Sequence, residues 1–184
     1  MTPDFRKEAD RLSEWLTEVR RDFHRFPELS FKETRTAKII SNYLEEWGYS
    51  VSSIGGTGVK GVLKGEPGSR TVALRADMDA LPIGEETGAD FASSCPGVMH
   101  ACGHDIHMTC ALGAARMLAG ARKEGMLTGS VVMLFQPAEE INQGAAAILK
   151  DGALANPDVD MIFGLHNHPA YPAGTIVVKK GPMM

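Results

Sequence analysis

The sequence predicts an α/β fold in which helices pack on a mostly parallel sheet. Helical and strand patterns alternate along the chain, which favours βαβ units over an all-helical or all-strand domain. The 184 residues, 43% hydrophobic and 23% charged, are enough for one domain with a hydrophobic core. Two short apolar segments, 131–135 and 161–165, indicate strands buried inside the sheet.

The first two elements are predicted to be helices. Between residues 5 and 26, apolar side chains recur at steps of three and four, and Pro27 then ends the helix. A second helix runs from about Glu33 to Trp47, with Gly48 at its C-terminal cap.

Strands and two more helices follow. Strands are predicted at 51–54, 59–63, 71–76, 131–135, 161–165 and 175–178, and helices at 105–121 and 144–150. Asp77, Glu139 and His166 each come just after a predicted strand. Because ligands of open α/β sheets bind at the carboxyl ends of the strands, distant segments are expected to converge there.

Composition excludes several classes of partner and compartment. Nineteen basic and 23 acidic residues give a net charge of -4, which argues against nucleic acid and anionic membranes as partners. No apolar run approaches the roughly 20 residues of a membrane helix. The charged N-terminus does not resemble a secretory signal, and three cysteines do not make a disulfide framework. A reducing cytoplasm is therefore expected.

Side chains that can bind metal are concentrated in three segments, residues 99–107, 136–140 and 165–169. The first and third contain five of the six histidines. Deprotonated Cys, His and carboxylate side chains are the ligands of divalent transition metals. The clustering predicts a metal-dependent hydrolase, and the spacing of the three segments supports a site with two metal ions.

Cys102 and His104 flank Gly103 immediately before a predicted helix. Glycine permits a tight turn, so that both side chains can face one point. The alternative is a buried cysteine beside a histidine that caps the helix. The glutamate pair and the His-Asn-His segment farther along the chain favour metal binding.

Glu139 and Glu140 follow an apolar strand and Pro137. Two adjacent acidic residues are most often only solvated. After an extended segment, however, they point in different directions. One can then bind a metal while the other holds a water molecule as general base.

The remaining candidates have open roles. His166 and His168 share one face of an extended segment. His166 is the better ligand candidate, and His168 either supports a ligand or is only a loop residue. Asp77 and Asp79 either orient metal-bound histidines or close an Asx-turn. His24 is interpreted as structural, a cation near the C-terminus of the first helix.

Five motifs resemble the co-catalytic metallopeptidase family, in its amidohydrolase branch of hippurate hydrolases, N-acyl-amino-acid amidohydrolases and auxin-conjugate hydrolases. In chain order they are HRFPELSF at 24–31, RADMDALP at 75–82, HACGHD at 100–105, QPAEE at 136–140 and GLH at 164–166. Together they extend over most of the chain, which makes the resemblance specific.

The resemblance implies a three-layer aminopeptidase-like catalytic domain that holds two divalent metal ions, of manganese, zinc, cobalt or nickel. It also implies cleavage of the amide bond between an acyl group and an amino acid. Cys102, His104, Glu140 and His166 match the family's metal ligands. Glu139 matches the general base that activates water.

The family is longer than this chain. Its members add a lid domain, through which they form homodimers, and a further histidine ligand, whereas no histidine follows His168. Residues 1–184 are therefore expected to be the N-terminal portion of the catalytic domain, without the lid. A truncated, inactive metal-binding fragment is the alternative function.

A cysteine hydrolase is the third hypothesis, with Cys102 as nucleophile and His104 as base. Residues two apart rarely reach the geometry that a nucleophile and its base require. The glutamate pair would also have no role, so this hypothesis is the least favoured.

Overall fold

The computed structural model describes residues 4–181. Residues 1–3 and 182–184 lie outside the described part, so the prediction about a secretory signal falls partly on residues that are not described. The helices are α1 Phe5–Arg25, α2 Thr34–Glu46, α3 His104–Lys123 and α4 Gly144–Lys150, and the strands are β1 Ser50–Ile54, β2 Gly58–Leu63, β3 Thr71–Asp77, β4 Ser130–Gln136 and β5 Met161–Gly164. Within residues 4–181, none of the helices combines the length and the apolarity needed to span a bilayer.

The five strands form one mixed sheet in the order β1-β2-β4-β3-β5. β3 runs parallel to both β4 and β5, while the β1–β2 and β2–β4 pairs are antiparallel. The α/β class is confirmed, and the parallel part is confined to one half of the sheet. The short glycine-rich link at 55–57 joins β1 and β2 as a hairpin, because only antiparallel neighbours can be joined so tightly.

Helices cover both faces of the sheet and make three layers. α2 and α3 pack against one face and α1 packs on α3, with a core built around Phe23, Ile40, Leu112 and Phe135. α4 packs on the other face, where Ile148 meets a smaller apolar cluster. Residues 131–135 of β4 contribute alternately to the two clusters, which explains why this part of the strand is apolar at every position.

The predicted C-terminal cap of α2 is confirmed. Gly48 has φ +89°, a left-handed conformation that glycine adopts at little cost. The N–H of Tyr49 donates to the carbonyl of Leu44 at 2.9 Å, and the N–H of Gly48 donates to Glu45 at 3.0 Å. This pairing ends the helix and turns the chain into β1.

Two predictions near the end of the chain are wrong. β5 was expected to be buried, yet it is the outer strand and its residues are exposed, with Phe163 53% accessible. Residues 175–178 form no strand, and Val178 is 87% exposed. Apolar composition indicates that a segment is suited to burial, but the presence of a covering layer cannot be read from the segment itself.

The exposed face of β5 predicts self-association of the 184-residue chain. An uncovered apolar edge strand is a template for pairing with another molecule. Phe163→Lys should raise the concentration at which oligomers form in sedimentation velocity, whereas Ile83→Lys, at a 43% exposed loop position, should not. Equal behaviour of both variants and the wild type would contradict the prediction.

Parallel pairing brings several chain segments to one edge of the sheet. β3 ends at Asp77, β4 at Gln136 and β5 at Gly164, and all three carboxyl ends lie on the same side. α3 begins beside them at His104. The ligand-rich segments of the sequence are therefore neighbours in space.

Candidate metal centre

The turn before α3 places Cys102 and His104 on one side. Gly103, at the N-cap of α3, has φ +85°, and this left-handed residue turns the chain sharply. The Sγ atom of Cys102 lies 3.6 Å from Nε2 of His166. The turn expected from the sequence is present.

His104 presents one free ring nitrogen to the site. Its Nδ1 donates to the carbonyl oxygen of Asp79 at 2.8 Å, which leaves a lone pair on Nε2. This Nε2 is buried and makes no hydrogen bond within residues 4–181. It lies 3.6 Å from Oε1 of Glu140 and 3.7 Å from Oε2 of Glu139. Although burial disfavours a charged imidazole, the Asp79 hydrogen bond and the nearby carboxyl groups raise the pKa of His104.

Both glutamates face His104 because Asp79 holds their backbone. The N–H groups of Glu139 and Glu140 donate to the two carboxylate oxygens of Asp79, each at 3.0 Å. Oε1 of Glu140 is buried without a hydrogen-bond partner in the described chain, and burial raises the pKa of this carboxyl group. The side chain of Glu139 is 37% exposed, so it borders solvent on the open side of the site.

The carboxylates of Asp77 and Asp79 accept hydrogen bonds that orient their neighbours in the site. Asp79 also accepts from the hydroxyl of Ser30 at 2.7 Å, and these hydrogen bonds lower its pKa although burial opposes ionisation. Asp77 accepts from Nδ1 of His107 at 2.6 Å and from Arg75 at 2.7 Å. Burial would raise the pKa of Asp77, but these partners hold it at about 2. The geometry favours the orienting role over an Asx-turn for both residues.

His107 belongs to the site and was given no role by the sequence reasoning. It lies one helical turn after His104, a spacing that puts both on one face of α3 and that would have identified it. With its proton on Nδ1, facing Asp77, the ring offers a lone pair at Nε2. The N–H of Asn167 donates to this atom at 2.9 Å.

Among residues 4–181, two overlapping groups of donor atoms could hold a metal ion. One contains Cys102, His104 and Glu140, and the other contains Asp77, His104, His107 and His166, with the donor atoms of each group within 4.8 Å of one another. Both nitrogens of His107 are already engaged. The donors that remain available include the four ligand candidates of the sequence analysis: Cys102, His104, Glu140 and His166.

His166 and His168, in the ligand-rich segment 165–169, have different contacts. Nδ1 of His166 lies 2.7 Å from the carbonyl of Asn167, which leaves its Nε2 facing Cys102. His168 is exposed, accepts from the N–H of Ala170 and packs against Tyr171. His168 is therefore interpreted as a loop residue, and it belongs to neither group of donor atoms found among residues 4–181.

The donor set and its charge fit a divalent cation. Burial and the carboxylates of Glu140, Glu139 and Asp77 raise the pKa of Cys102 to about 11. The negative groups thus keep the thiol protonated unless a positive charge is added. Nε2 of His104 and Oε1 of Glu140 are buried without hydrogen-bond partners among residues 4–181, and such atoms normally bind a protein group, water or an ion.

His24 forms a second buried network behind the site. Its Nδ1 lies 2.8 Å from Oδ2 of Asp105, and its Nε2 lies 3.0 Å from Glu85. Arg20 contacts the same oxygen of Asp105 at 2.8 Å. His24 therefore connects the last turn of α1 to the first turn of α3, in agreement with a structural role.

His24→Gln should destabilise the fold more at acidic than at alkaline pH. The hydrogen bond to Asp105 raises the pKa of His24 despite burial. The resulting stabilisation is present below the unfolded pKa of about 6.5 and is lost as the pH rises through the folded value. We expect a loss of about 1.5–3 kcal/mol at pH 5.5 and a smaller one at pH 9, measured by urea unfolding. Equal losses at both pH values would refute this.

Gly103→Ala should weaken metal binding as well as stability. A Cβ at Gly103 would lie 2.6 Å from Oδ1 of Asn167, the neighbour of His166. Gly97 is the matched control, because its φ is +75° and an added Cβ would have no described residue beyond its chain neighbours within 4 Å. Left-handed backbone should cost both variants about 1–2 kcal/mol of unfolding free energy. Only Gly103→Ala should lower zinc affinity in a chelator competition. Equal zinc affinity of the two variants would contradict the expected effect of the clash with Asn167 on the site.

Comparison with known proteins gives the family. The family model described as Peptidase family M20/M25/M40 matches residues 73–181, and the chain belongs to this family. It is 47% identical over 171 residues to the N-acetylcysteine deacetylase of Bacillus subtilis (strain 168), which covers 92% of this chain and 44% of that protein. It is 46% identical over 167 residues to the hippurate hydrolase of Campylobacter jejuni, covering 90% of this chain and 43% of the relative.

A solved structure agrees with the fold. The crystal structure of the YXEP protein of Bacillus subtilis, described as a dinuclear metal binding peptidase of the M20 family, matches with a TM-score of 0.86 and 45% identity. The match covers 94% of this chain and 48% of that one. The family resemblance and the fold class predicted from the sequence are therefore confirmed. The chain spans about half the length of the curated relatives that it matches, 44% in the case of the deacetylase.

Proposed function

We propose that this chain carries the metal ligands and the general base of an amidohydrolase that cleaves N-acyl amino acids. The observation that carries the proposal is the convergence of four available donors and Glu139 at the carboxyl edge of the parallel strands. Enzyme sites of open α/β sheets lie at this edge. The family membership of the chain supports the same reaction class.

We propose two divalent metal ions as cofactors, held by Cys102, His104, Glu140 and His166. The cysteine and histidines suit zinc, cobalt or nickel, and the carboxylates also admit manganese. The buried Nε2 of His104 and Oε1 of Glu140, which have no hydrogen-bond partner within residues 4–181, support this ligand set. A bound divalent ion acidifies water and polarises a carbonyl oxygen.

Glu139 would be the general base. Its carboxylate lies beside the donor set, while a 37% exposed side chain leaves it open to water and substrate. In this role Oε2 accepts a proton from the attacking water and returns it to the nitrogen of the departing amino acid. Asp79 supports the role because it fixes the backbone N–H of Glu139.

The substrate class follows from the names of the relatives. They include an N-acetylcysteine deacetylase, a hippurate hydrolase and an IAA-amino acid hydrolase. Their named substrates share an amide bond between an acyl group and the nitrogen of an amino acid or its analogue. We propose the same class here, with the acyl group and the amino acid left open.

The cysteine-nucleophile alternative is disfavoured by the electrostatics of the site. The thiolate is the reactive form of cysteine, and a pKa raised to about 11 leaves Cys102 protonated near neutral pH. A chain that binds metal without turnover is the remaining alternative.

From the family resemblance we also propose a homodimer formed through a lid domain. The three free thiols fit a cytoplasmic location.

The test uses a chimera of this chain with the second half of the Bacillus subtilis deacetylase, beside the 184-residue chain alone. Each is stripped with a chelator, reloaded with zinc or manganese and assayed on N-acetylcysteine and hippurate. We expect the folded chimera to need metal for hydrolysis and the 184-residue chain to be far less active. Hydrolysis that survives metal removal but is lost on thiol alkylation would overturn the proposal. A folded, metal-loaded chimera without hydrolysis would favour the inactive alternative.

A further inference from the structure

The turn between β4 and the glutamate pair has an unusual backbone. Ala138 has φ +50°, in the left-handed region that residues other than glycine rarely occupy. It is fully buried, and it directly precedes Glu139 and Glu140. The direction in which both glutamates leave the sheet therefore depends on the conformation of this one residue.

A buried carboxyl group holds this turn from a distant part of the chain. The N–H of Ala138 donates to Oε1 of Glu33 at 2.9 Å, although the two residues are 105 positions apart. The other oxygen of Glu33 accepts from the hydroxyl of Thr57. Glu33 is fully buried, and its side chain makes no capping hydrogen bond to α2, the helix that it precedes. Burial of a carboxyl group is costly, and here its hydrogen bonds are directed at the turn.

The opposite side of the turn is held by the start of α4. The N–H groups of Gln143 and Gly144 both donate to the carbonyl of Ala138, at 3.3 and 3.0 Å. A Cβ at Gly144 would lie 1.5 Å from the carbonyl oxygen of Pro137, so only glycine permits this approach. Glu33 thus holds the peptide unit before Ala138, and the start of α4 holds the peptide unit after it, so both backbone dihedrals of Ala138 are constrained.

We propose that Glu33 is a positioning residue, which keeps Ala138 left-handed so that Glu139 and Glu140 face His104. The inference rests on the proposed function, because it assumes that Glu140 is a metal ligand. Without Glu33 the buried N–H of Ala138 would have no partner, and the strained backbone would rotate to find one. That rotation would turn the Glu140 carboxyl group away from the other donors.

The first experiment compares three substitutions in the 184-residue chain. Glu33→Met removes both hydrogen bonds, and Glu33→Gln retains them, since an amide can accept from Ala138 and donate to Thr57. Glu28→Met is the matched control, because Glu28 accepts from the backbone N–H groups of Arg35 and Thr36 at the start of α2, away from the turn. Zinc affinity is measured by competition with a chromophoric chelator, and amide exchange at residues 138–140 by NMR.

We expect Glu33→Met to bind zinc about 10–100-fold more weakly, the range for partners that orient ligands. Glu33→Gln should stay close to wild type, and Glu28→Met should lose stability without losing affinity. Amide exchange at 138–140 should accelerate in Glu33→Met alone. Adding Ala138→Gly to Glu33→Met should restore affinity several-fold, because glycine adopts the left-handed backbone without strain.

Three outcomes would overturn the inference. They are wild-type zinc affinity in Glu33→Met, equal losses in Glu33→Met and Glu28→Met, and no recovery on adding Ala138→Gly. A wild-type chain that binds no zinc would refute the proposed metal site instead. In that case the amide exchange at 138–140 still decides whether Glu33 holds the turn.

Discussion

His104→Gln will abolish zinc binding at the candidate centre, whereas His107→Gln will weaken it by about 10–100-fold without abolishing it. His104 is the one residue common to both groups of donor atoms found among residues 4–181. Its Nε2 is buried, has no hydrogen-bond partner in the described part of the chain and faces Glu140. His107 has both nitrogens engaged, so its loss should disturb only the orientation of its neighbours.

The two histidines form a well-matched pair for this test. Both are buried, both are on α3, and both face the same carboxylate, Asp77. Zinc stoichiometry and affinity are measured by equilibrium dialysis and calorimetry, with thermal unfolding as a check that each variant is folded. If His107→Gln abolishes binding and His104→Gln retains it, then the ion is held by Asp77, His107 and His166 without His104. Cys102 and Glu140 would then lose their proposed roles.

Local patterns predicted most of the helices and strands. The apolar spacing of α1, the Gly48 cap and the apolar run of β4 each depend on neighbouring residues, so sequence alone carried enough information. The arrival of Asp77, Glu139 and His166 at one edge also followed from local patterns. Once three strands are parallel, their carboxyl ends must meet.

Contacts between distant segments could not be predicted in this way. Asp79 holds the backbone of Glu139 and Glu140, which lie about 60 residues farther along the chain. Glu33 reaches Ala138 over an even longer separation. No spacing rule connects such residues, because the fold alone decides which buried carboxyl group meets which N–H group. The exposure of β5 was missed for a related reason, since burial is a property of neighbours.

Glu139→Gln and Glu140→Gln in the chimera should produce two different defects. A general base contributes about 10²–10⁴-fold to rate, so Glu139→Gln should lower kcat by that factor while metal content stays at the wild-type level. Glutamine at position 139 still fits the turn, because the Asp79 contact uses the backbone N–H. Glu140→Gln should instead lower metal affinity, since an amide oxygen is a weaker ligand than a carboxylate for a divalent ion.

The two defects are separated by measuring metal content and hydrolysis on the same samples over a range of zinc concentrations. Excess metal should restore much of the turnover of Glu140→Gln and none of that of Glu139→Gln. The pair is closely matched, since both side chains leave the same turn and both N–H groups bind Asp79. Recovery of Glu139→Gln by added metal would show that Glu139 is the ligand. The assignment of the general base would then pass to Glu140, whose pKa is raised by burial.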